Sequence, residues 1–245
     1  MVATRTKTHP TDDLRAKVAL VTGATRGIGL AIARALSAEG CSLIITSRYK
    51  NSFAKARKEL APSGLAAICD VRDPGSVQNL ITAVQRRFHR IDILINNAGI
   101  AHPNLSVGEL PLDTWRDVID TNLTGMFLVT RAALPLMKSS AIIVNNLSIA
   151  AKRVFPGSSA YNASKHGALG FTNTLREELR VKGIRVIALL PGATDTAIWE
   201  TLWPNAPRRE MISPETVATA VVNALKVPTG STVEELVILP ATGTL

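Results

Sequence analysis

Aromatic side chains make up only 4% of this 245-residue chain, and long apolar runs are missing from it. Proteins that stack nucleic-acid bases need aromatic platforms, so the shortage argues against that class. No stretch reaches the roughly 18 apolar residues that a membrane-spanning helix requires. The first 16 residues are polar and charged, without the apolar segment of a secretory signal. We therefore expect a cytoplasmic protein that binds neither nucleic acid nor a membrane.

Cysteine and clustered charge are scarce as well. Cys41 and Cys69 each border an apolar run, which is typical of small buried hydrophobes in a reducing compartment. The formal net charge of +9 is spread along the chain without a run of five or six basic residues. Polybasic anchors are clustered, so the charge argues against nucleic-acid or membrane attachment. A dispersed positive field favours an anionic cofactor or substrate instead.

What the chain does contain is an alternation of short β-branched runs with longer helical patterns. The predicted strands are 17–22, 42–46, 66–69, 91–96, 141–148, 184–190 and 235–239, and the predicted helices are about 28–39, 53–60, 74–87, 112–137 and 161–182. Near-continuous apolar strands between helices indicate a parallel sheet that is covered on both faces. We predict an α/β protein with one Rossmann-fold domain at 16–245, a doubly wound seven-stranded parallel sheet, after a flexible basic tail at 1–15.

The first predicted strand runs into the glycine-rich turn Thr22-Gly23-Ala24-Thr25-Arg26-Gly27-Ile28-Gly29, which opens the first helix. Glycines let the backbone approach a pyrophosphate closely, and the N–H groups and dipole of a helix N-terminus favour its charge. Glycines also simply make tight turns. The position between strand and helix in the first βαβ unit nevertheless favours a dinucleotide site. The spacing Gly-x-x-x-Gly-x-Gly differs from the Gly-x-Gly-x-x-Gly of two-domain dehydrogenases.

A second polar group follows the fifth predicted strand. Tyr161 and Lys165 are four residues apart, so one helical face carries both, and Ser148 closes the strand before them. A phenol with a pKa of about 10 is a poor acid at neutral pH, and a nearby lysine cation lowers that pKa. A Tyr-x-x-x-Lys pair by itself is usually an ordinary surface or amphipathic pair. With a hydroxyl at the strand end, the pair can meet over one carbonyl oxygen.

The remaining motifs stand in a fixed order along the chain. Asn96-Asn97-Ala98-Gly99 follows the fourth strand, Asp120-Thr121-Asn122 lies in the next helix, and Pro191-Gly192 precedes Thr194 and Thr196. Together with the glycine turn and with Ser148, Tyr161 and Lys165, they make the chain resemble the short-chain dehydrogenase/reductase family. The resemblance covers nearly the whole chain at the family spacing.

The resemblance implies an oxidoreductase that moves a hydride between a nicotinamide cofactor and a carbonyl or secondary alcohol. Its catalytic residues would be Asn122, Ser148, Tyr161 and Lys165. Tyr161 would protonate the developing alkoxide, and Ser148 would hydrogen-bond the same oxygen. Lys165 would lower the Tyr161 pKa and hold the ribose hydroxyls, and Asn122 would position a water in a proton relay. Structural roles also exist, with Ser148 as a strand-end cap and Asn122 as a polar residue that kinks its helix.

Charge at the end of the second strand indicates which nicotinamide cofactor binds. An NAD site places a carboxylate there for the ribose 2′-hydroxyl, whereas this chain has Thr46-Ser47-Arg48. Arg26 and Arg48 suit a 2′-phosphate because guanidinium groups bind it bidentately, and the alternative is two solvated surface arginines. We expect NADP(H) rather than NAD, and no metal.

The resemblance places Asp70 against the adenine, and capping of the following helix is the alternative role. The full set of predicted cofactor-binding residues comprises Gly23, Thr25, Arg26, Gly27, Ile28, Gly29, Ser47, Arg48, Asp70, Val71, Asn97, Ala98, Gly99, Tyr161, Lys165, Pro191, Gly192, Thr194 and Thr196.

The segment from about 193 to 212 is predicted to form a lid over the substrate. Its apolar residues are Ile198, Trp199, Leu202, Trp203 and Pro204. They suit a mostly hydrophobic ligand, although the tryptophans could equally pack on the domain or at a subunit contact. The loops bordering the same cleft carry His102, Arg153, Val154 and Phe155. Arg153 is either a contact for an acidic substrate or a surface residue.

Two further expectations come from the resemblance. Many 3-oxoacyl-carrier-protein reductases of the family close with Asp-Gly-Gly or Asn-Gly-Gly, whereas this chain has Leu239-Pro240-Ala241-Thr242-Gly243. That departure favours relatives acting on small carbonyls or hydroxy acids. Family members are commonly dimers or tetramers that pack through the Tyr-bearing helix. Here an apolar strip of Ala168, Leu169, Phe171 and Leu175 fits either a homo-oligomer contact or the core.

The leading hypothesis is therefore an NADP(H)-dependent carbonyl reductase or alcohol dehydrogenase acting on a small molecule. A protein that binds NADPH as a regulator, with little catalysis, is the alternative on the same fold. The complete set of Ser, Tyr, Lys and Asn argues against that alternative, because a sensor has no need of a proton relay.

Overall fold

A computed structural model describes residues 13–56 and 64–243. The strands are β1 (Val18–Val21), β2 (Ser42–Ser47), β3 (Leu65–Ile68), β4 (Ile93–Asn96), β5 (Ile142–Asn146), β6 (Arg185–Pro191) and β7 (Glu235–Ile238). The α-helices are α1 (Gly27–Ala38), α2 (Phe53–Ala56), α3 (Pro74–Phe88), α4 (Leu112–Ile119), α5 (Gly125–Ala133), α6 (Ser159–Arg180), α7 (Trp199–Leu202) and α8 (Pro214–Leu225). The predicted helix at 53–60 runs into residues outside the described ranges.

All seven strands pair in parallel in the order β3-β2-β1-β4-β5-β6-β7, which confirms the predicted doubly wound sheet. The order reverses between β1 and β4, and loops that diverge at such a switch point leave a crevice at the carboxyl edge. Val21 pairs with Ile95, and Asn96 pairs with Asn145. The turns that follow β1, β4 and β5 therefore emerge next to one another.

The core lies on both faces of the sheet. Val18 and Leu20 of β1 belong to one buried cluster, and Ala19 and Val21 belong to another, because alternate strand residues point to opposite faces. Helices α1 and α8 pack against the second cluster, and α3, α5 and α6 pack against the first. This two-sided burial explains why the strands read as apolar runs rather than as alternating patterns.

The predicted long helix at 112–137 is confirmed in extent, but it is not α-helical throughout. The structure has α4, a π-helical turn at Asp120–Thr124, α5, and a 3₁₀ turn at Leu134–Leu136. Pro135 lies in that last turn, where a residue without a backbone N–H cannot continue an α-helix. The π turn contains Asn122, so the expectation that this residue disturbs its helix is consistent with the structure.

Helix α8 was absent from the sequence prediction. Ser213 caps it, with its hydroxyl accepting the Thr216 backbone N–H at 3.1 Å, and Pro214 occupies the first turn. Its apolar face, including Val217 and Val221, packs against α1 in the core. A cap followed by proline and apolar residues three to four apart was the available signal.

Residues 1–12 of the predicted tail lie outside the described ranges. Leu14 is buried in the core, and its carbonyl oxygen accepts the Cys41 thiol at 3.2 Å, so the folded domain begins before residue 16. Cys41 and Cys69 are both buried, and burial raises their pKa values to about 12 and about 11. Among the helices of residues 13–56 and 64–243, none has the length and apolar character needed to cross a membrane.

Candidate active site

A cleft of about 840 Å³ opens at the carboxyl edge of the sheet, above the switch point between β1 and β4. Every predicted cofactor-binding residue except Asp70 lines it, and so do Ser148, Tyr161 and Lys165. The cleft therefore joins the glycine turn to the proposed catalytic side chains. Sequence motifs separated by more than a hundred residues meet here because parallel strands end at one edge.

The glycine turn is held against the loop after β4 by Asn97. Its side-chain Nδ2 donates to the carbonyl oxygens of Thr22 at 2.9 Å and Gly23 at 3.1 Å. A Cβ atom at Gly29 would lie 2.2 Å from that Nδ2 and 2.6 Å from the Gly23 oxygen. Only glycine fits there, and Gly23 itself has a φ of +62°, in the left-handed region. The glycines thus let the turn pack closely against the loop after β4.

A chain of hydrogen bonds continues from Asn97 to the lysine. Asn146 Nδ2 donates to Asn97 Oδ1 at 2.8 Å, and Lys165 Nζ donates to the backbone carbonyl oxygen of Asn146 at 3.1 Å. Asn146 ends β5 and lines the cleft. The glycine turn, the strand end and the lysine are consequently parts of one polar network.

Ser148, Tyr161 and Lys165 lie together on the cleft wall, as the sequence predicts. Lys165 Nζ is 5.5 Å from the centre of the Tyr161 ring. Burial raises the pKa of Tyr161, and a hydrogen bond with Ser148 partly offsets that rise. Burial lowers the pKa of Lys165 to about 8. The expected lowering of the Tyr161 pKa by the lysine is not seen in this structure, where burial is the larger effect on both groups.

Ser148 also has the structural role that the sequence left open. Its hydroxyl oxygen accepts the backbone N–H of Ala150 at 3.1 Å and so caps a short 3₁₀ turn at Ile149–Ala151. The cap fixes the side chain at the strand end while leaving its O–H free to point toward Tyr161. Ser148 can therefore cap the 3₁₀ turn with its oxygen and still donate a hydrogen bond within the cleft.

The far end of the cleft carries the predicted arginines. Arg26 is exposed, and both Arg26 and Arg48 line the cleft. The Arg48 guanidinium lies 5.4 Å from the centre of the Tyr49 ring, and Ser52 Oγ donates to Ser47 Oγ at 2.6 Å. Tyr49 and Ser52 also line the cleft but were missed from sequence, because nothing in their spacing separates them from an ordinary loop.

Asp70 is the predicted cofactor residue that the structure places elsewhere. Its carboxylate binds Arg72, whose Nη2 lies 2.8 Å from Oδ2, and that guanidinium holds the pKa of Asp70 below its usual range. The cap of α3 is Asp73, which accepts the Gly75 backbone N–H at 2.9 Å. The capping role considered for Asp70 is therefore filled by Asp73, whereas the predicted contact of Asp70 with the adenine stays a prediction.

Asn122 is buried behind the cleft rather than on its wall. Its Oδ1 accepts the Ile100 backbone N–H at 2.9 Å, and its Nδ2 donates to Ile100 O at 2.9 Å and to Ser164 Oγ at 3.0 Å. Both amide protons are engaged, so the side chain has no donor left for a water. It ties the loop after β4 to α6, and the predicted water relay stays a prediction.

The lid residues Ile198, Trp199, Leu202 and Trp203 line the cleft, whereas Pro204 does not. Trp199 Nε1 donates to the Thr194 carbonyl oxygen at 2.9 Å, which pins α7 onto the loop after β6. The two ends of the segment are joined by Asp195 N to Ile212 O at 2.9 Å and by the Arg208–Asp195 ion pair. The segment is therefore a closed loop with a fixed base.

Of the loop residues predicted to border the cleft, only Phe155 lines it. His102 is buried, with Nδ1 2.7 Å from the Pro103 carbonyl oxygen. Arg153 and Val154 are exposed and away from the lining. In the predicted strip on α6, Ala168 and Leu175 are buried in the core, which leaves Leu169 and Phe171 partly exposed.

Three buried side-chain oxygens on cleft-lining residues have no protein partner among the described residues: Thr46 Oγ1, Thr121 Oγ1 and Asn146 Oδ1. Buried polar atoms are nearly always hydrogen-bonded, so these three oxygens are exceptions, and they are inaccessible to solvent. The glycine turn at the N-terminus of α1 and the two arginines line the same cleft, an arrangement that fits a nucleotide with phosphate groups.

Comparison with known proteins identifies the family of this chain. Residues 17–207 match the family described as short chain dehydrogenase. The chain belongs to the short-chain dehydrogenase family. A 3-oxoacyl-[acyl-carrier-protein] reductase from Synechocystis sp. is 41% identical to it over 195 residues, which are 77% of this chain and 78% of that protein. As a short-chain dehydrogenase, the protein is an oxidoreductase.

Solved structures of other short-chain dehydrogenases have the same fold. An alcohol dehydrogenase from the archaeon Thermococcus sibiricus, complexed with 5-hydroxy-NADP, has a TM-score of 0.85 at 30% identity and covers 93% of this chain and 97% of its own. A 3-ketoacyl-(acyl-carrier-protein) reductase from Brucella melitensis, complexed with NADH, has a TM-score of 0.85 at 28% identity, covering 93% and 98%. One of these two structures thus holds an NADP derivative and the other holds NADH.

Proposed function

We propose that this short-chain dehydrogenase transfers a hydride between NADP(H) and a hydrophobic carbonyl compound or the corresponding secondary alcohol. The observation that carries the proposal is the meeting of Ser148, Tyr161 and Lys165 on the wall of the cleft that also holds the glycine turn. A cofactor-binding protein without catalysis would have no use for a phenol and a hydroxyl paired beside a buried lysine.

The preference for NADP(H) rests on charge at the far end of the cleft. Arg26 and Arg48 line it, and the carboxylate nearest in sequence after β3, Asp70, is engaged by Arg72. Guanidinium groups bind phosphate strongly through paired hydrogen bonds. The glycine turn, Asn97 and the segment from Pro191 to Thr196 would hold the rest of the dinucleotide. When bound, the nicotinamide supplies or accepts the hydride.

The protein's own part in the reaction is to move one proton and to stabilise one charge. In the reductive direction the Tyr161 O–H donates its proton to the substrate oxygen, and Ser148 donates a hydrogen bond to the same atom. The raised pKa keeps Tyr161 protonated at neutral pH, although it also makes the phenol a weaker acid. Lys165 places a positive charge beside the phenolate that forms, because its ammonium lies next to the ring.

The substrate end of the cleft is mainly apolar. Ile198, Trp199, Leu202, Trp203 and Phe155 line it, and the indole N–H of Trp199 is already used by Thr194. Glu200 is the charged residue of this lid lining. Walls of this kind favour a neutral hydrophobic ketone or aldehyde over a substrate that carries its own anionic group.

We also propose that the protein forms a homodimer or homotetramer through α4, α5 and α6. Trp115 and Phe127 keep 37% and 40% of their surface exposed, and the Phe127 ring stacks edge-on against Phe171 at 6.2 Å. Large exposed aromatics on neighbouring helices are typical of protein contacts. Sedimentation of the purified chain, with Phe127→Glu as the disrupting variant, tests this assembly.

The experiment that tests the function follows NADPH oxidation at 340 nm, with NADH in parallel, across neutral ketones, aldehydes, α-diketones, quinones, steroids and 3-oxoacyl thioesters. We expect turnover of hydrophobic neutral carbonyls and faster turnover with NADPH. Binding of NADPH without turnover of any compound would support the regulatory alternative. Equal rates with NADH would overturn the assignment of Arg26 and Arg48.

A further inference from the structure

The neighbouring residues Asn145 and Asn146 at the end of β5 point to opposite faces of the sheet, as alternate strand residues do. Asn145 is fully buried, accepts from Asn96 Nδ2 at 2.8 Å and donates to Thr172 Oγ1 at 2.9 Å. Those partners lie in the core, behind the sheet edge. Asn146 instead lines the cleft, and its partners are Asn97 and Lys165.

The orientation of the Asn146 amide is fixed by its neighbours. Asn97 uses both Nδ2 protons on the carbonyl oxygens of Thr22 and Gly23, so only its Oδ1 faces Asn146. Asn146 must therefore present Nδ2 to Asn97, which turns its own Oδ1 into the buried wall without a protein donor. A residue that served only to end the strand would not need an amide here.

The same residue holds the lysine through its backbone. Lys165 Nζ donates to Asn146 O at 3.1 Å, so any shift of this strand end moves the acceptor of the buried ammonium. Burial lowers the pKa of Lys165, and among the described residues no charged side chain contributes to that shift. Tyr161, on the same helix, is the titratable group next to it. Asn146, Asn97 and Ser148 on the facing segments do not ionise.

We propose that Asn146 is a positioning residue that couples the glycine turn to Lys165. Its side chain holds Asn97 and thereby the turn, and its backbone carbonyl holds the lysine, so one residue fixes the position of both. The expected effects of Asn146 on NADPH binding and on kcat rest on the proposed function. Its structural content, a mechanical link from β5 to the turn after β1, is independent of which cofactor binds.

The matched pair of variants is Asn146→Leu and Asn145→Leu. Both remove a buried amide from adjacent positions of one strand and replace it with a side chain of similar size. Both are expected to lower stability, because each leaves partners unpaired. Only Asn146→Leu should loosen the glycine turn, since Asn97 Oδ1 then loses its donor.

The first readout is amide hydrogen exchange without cofactor or substrate. We expect faster exchange at Ala24, whose N–H is bonded to Thr46 O at 3.1 Å in the turn, in Asn146→Leu but not in Asn145→Leu. Equal exchange at Ala24 in the two variants would overturn the coupling. Because this measurement needs no turnover, it decides the proposal even if the protein proves not to reduce carbonyls.

The second readout uses the working enzyme. Asn146→Leu should weaken NADPH binding about tenfold, the effect of one lost buried hydrogen bond, while Asn145→Leu leaves it within about twofold. The alkaline limb of the kcat profile should also move to lower pH, because a displaced carbonyl stabilises the Lys165 cation less. If Asn146→Leu changes neither the NADPH affinity nor the alkaline limb of the kcat profile, Asn146 does not have the proposed positioning role. If Asn146→Leu does not fold, Asn146→Asp, which keeps the shape but has no N–H, replaces it.

Discussion

Lys165 donates a hydrogen bond from its buried ammonium to the backbone carbonyl oxygen of Asn146 at 3.1 Å. Lys165 is only 6% exposed as a residue, and burial lowers its pKa from 10.5 to about 8. A single carbonyl bond does not compensate the lost hydration of a cation. The lysine is therefore a destabilising residue at neutral pH.

The cost of burying the Lys165 cation gives a stability prediction for Lys165→Met. Between about pH 8 and 10.5 the unfolded chain binds the lysine proton more tightly than the native chain, so stability rises with pH across that window. The cost is fully present below pH 8. We expect Lys165→Met to raise the free energy of unfolding at pH 7 by on the order of 1–3 kcal/mol. Denaturant unfolding at pH 7 and pH 10.5 checks it, and an equal difference at both values would contradict it.

Tyr161→Phe removes the phenol O–H, and with it the hydrogen bond to Ser148, while the ring stays on the cleft wall. Turnover should fall below a few per cent, because the developing alkoxide then has no acid beside it. NADPH affinity should stay nearly unchanged, since the ring and Lys165 remain. Steady-state rates at 340 nm and fluorescence titration with NADPH measure the two effects. Residual activity above a few per cent would remove Tyr161 from the role of acid.

Gly29→Ala and Gly170→Ala form a pair with opposite expected signs. An added Cβ at Gly29 would meet Asn97 Nδ2 at 2.2 Å and Gly23 O at 2.6 Å, whereas at Gly170 in α6 nothing lies within 4 Å. We expect the first change to cost about 1–3 kcal/mol of stability through overpacking and to weaken NADPH binding. The second should gain about 0.5–1 kcal/mol by helix propensity. Thermal unfolding of both variants compares them directly.

Arg48→Ala tests the cofactor preference. The guanidinium lies over the Tyr49 ring at the far end of the cleft, where the 2′-phosphate would bind. We expect the Kd for NADPH to rise about tenfold or more through loss of a charge-assisted contact, and the Kd for NADH to change little. Arg116→Ala, an exposed arginine of α4 outside the cleft, is the control. A parallel loss of both cofactors would mean that Arg48 supports the loop rather than the phosphate.

Glu200→Gln tests whether the lid discriminates by charge. The carboxylate lines the apolar end of the cleft, whereas Glu210 in the same segment does not. We expect Glu200→Gln to raise kcat/KM roughly threefold for ketones that bear a carboxylate and to leave neutral ketones unchanged, because one repulsion across solvent is modest. Glu210→Gln should change neither rate. The gain should shrink at high salt, and a gain for neutral ketones would point to packing instead.

Much of the fold followed from local patterns alone. The strands read as apolar runs because both faces of the sheet are covered, and the alternation with helices fixed their parallel direction. The sequence predicted the helical segment at 112–137 but not its π-helical turn at Asp120–Thr124, where the Asn122 side chain bonds the Ile100 backbone across space. Helix α8 was overlooked although its cap and proline stand in the sequence.

The sequence by itself determined the motif order, the glycine turn, and the placement of Tyr161 and Lys165 on one helical face. These features depend on neighbours in the chain, through backbone conformation and helical periodicity. Only the tertiary structure decided that Asp70 pairs with Arg72, that Asn122 bonds the backbone of Ile100, and that Asn146 joins the turn to the lysine. Such choices are settled by which buried polar atoms find partners, and partners distant in sequence meet only when the chain has folded.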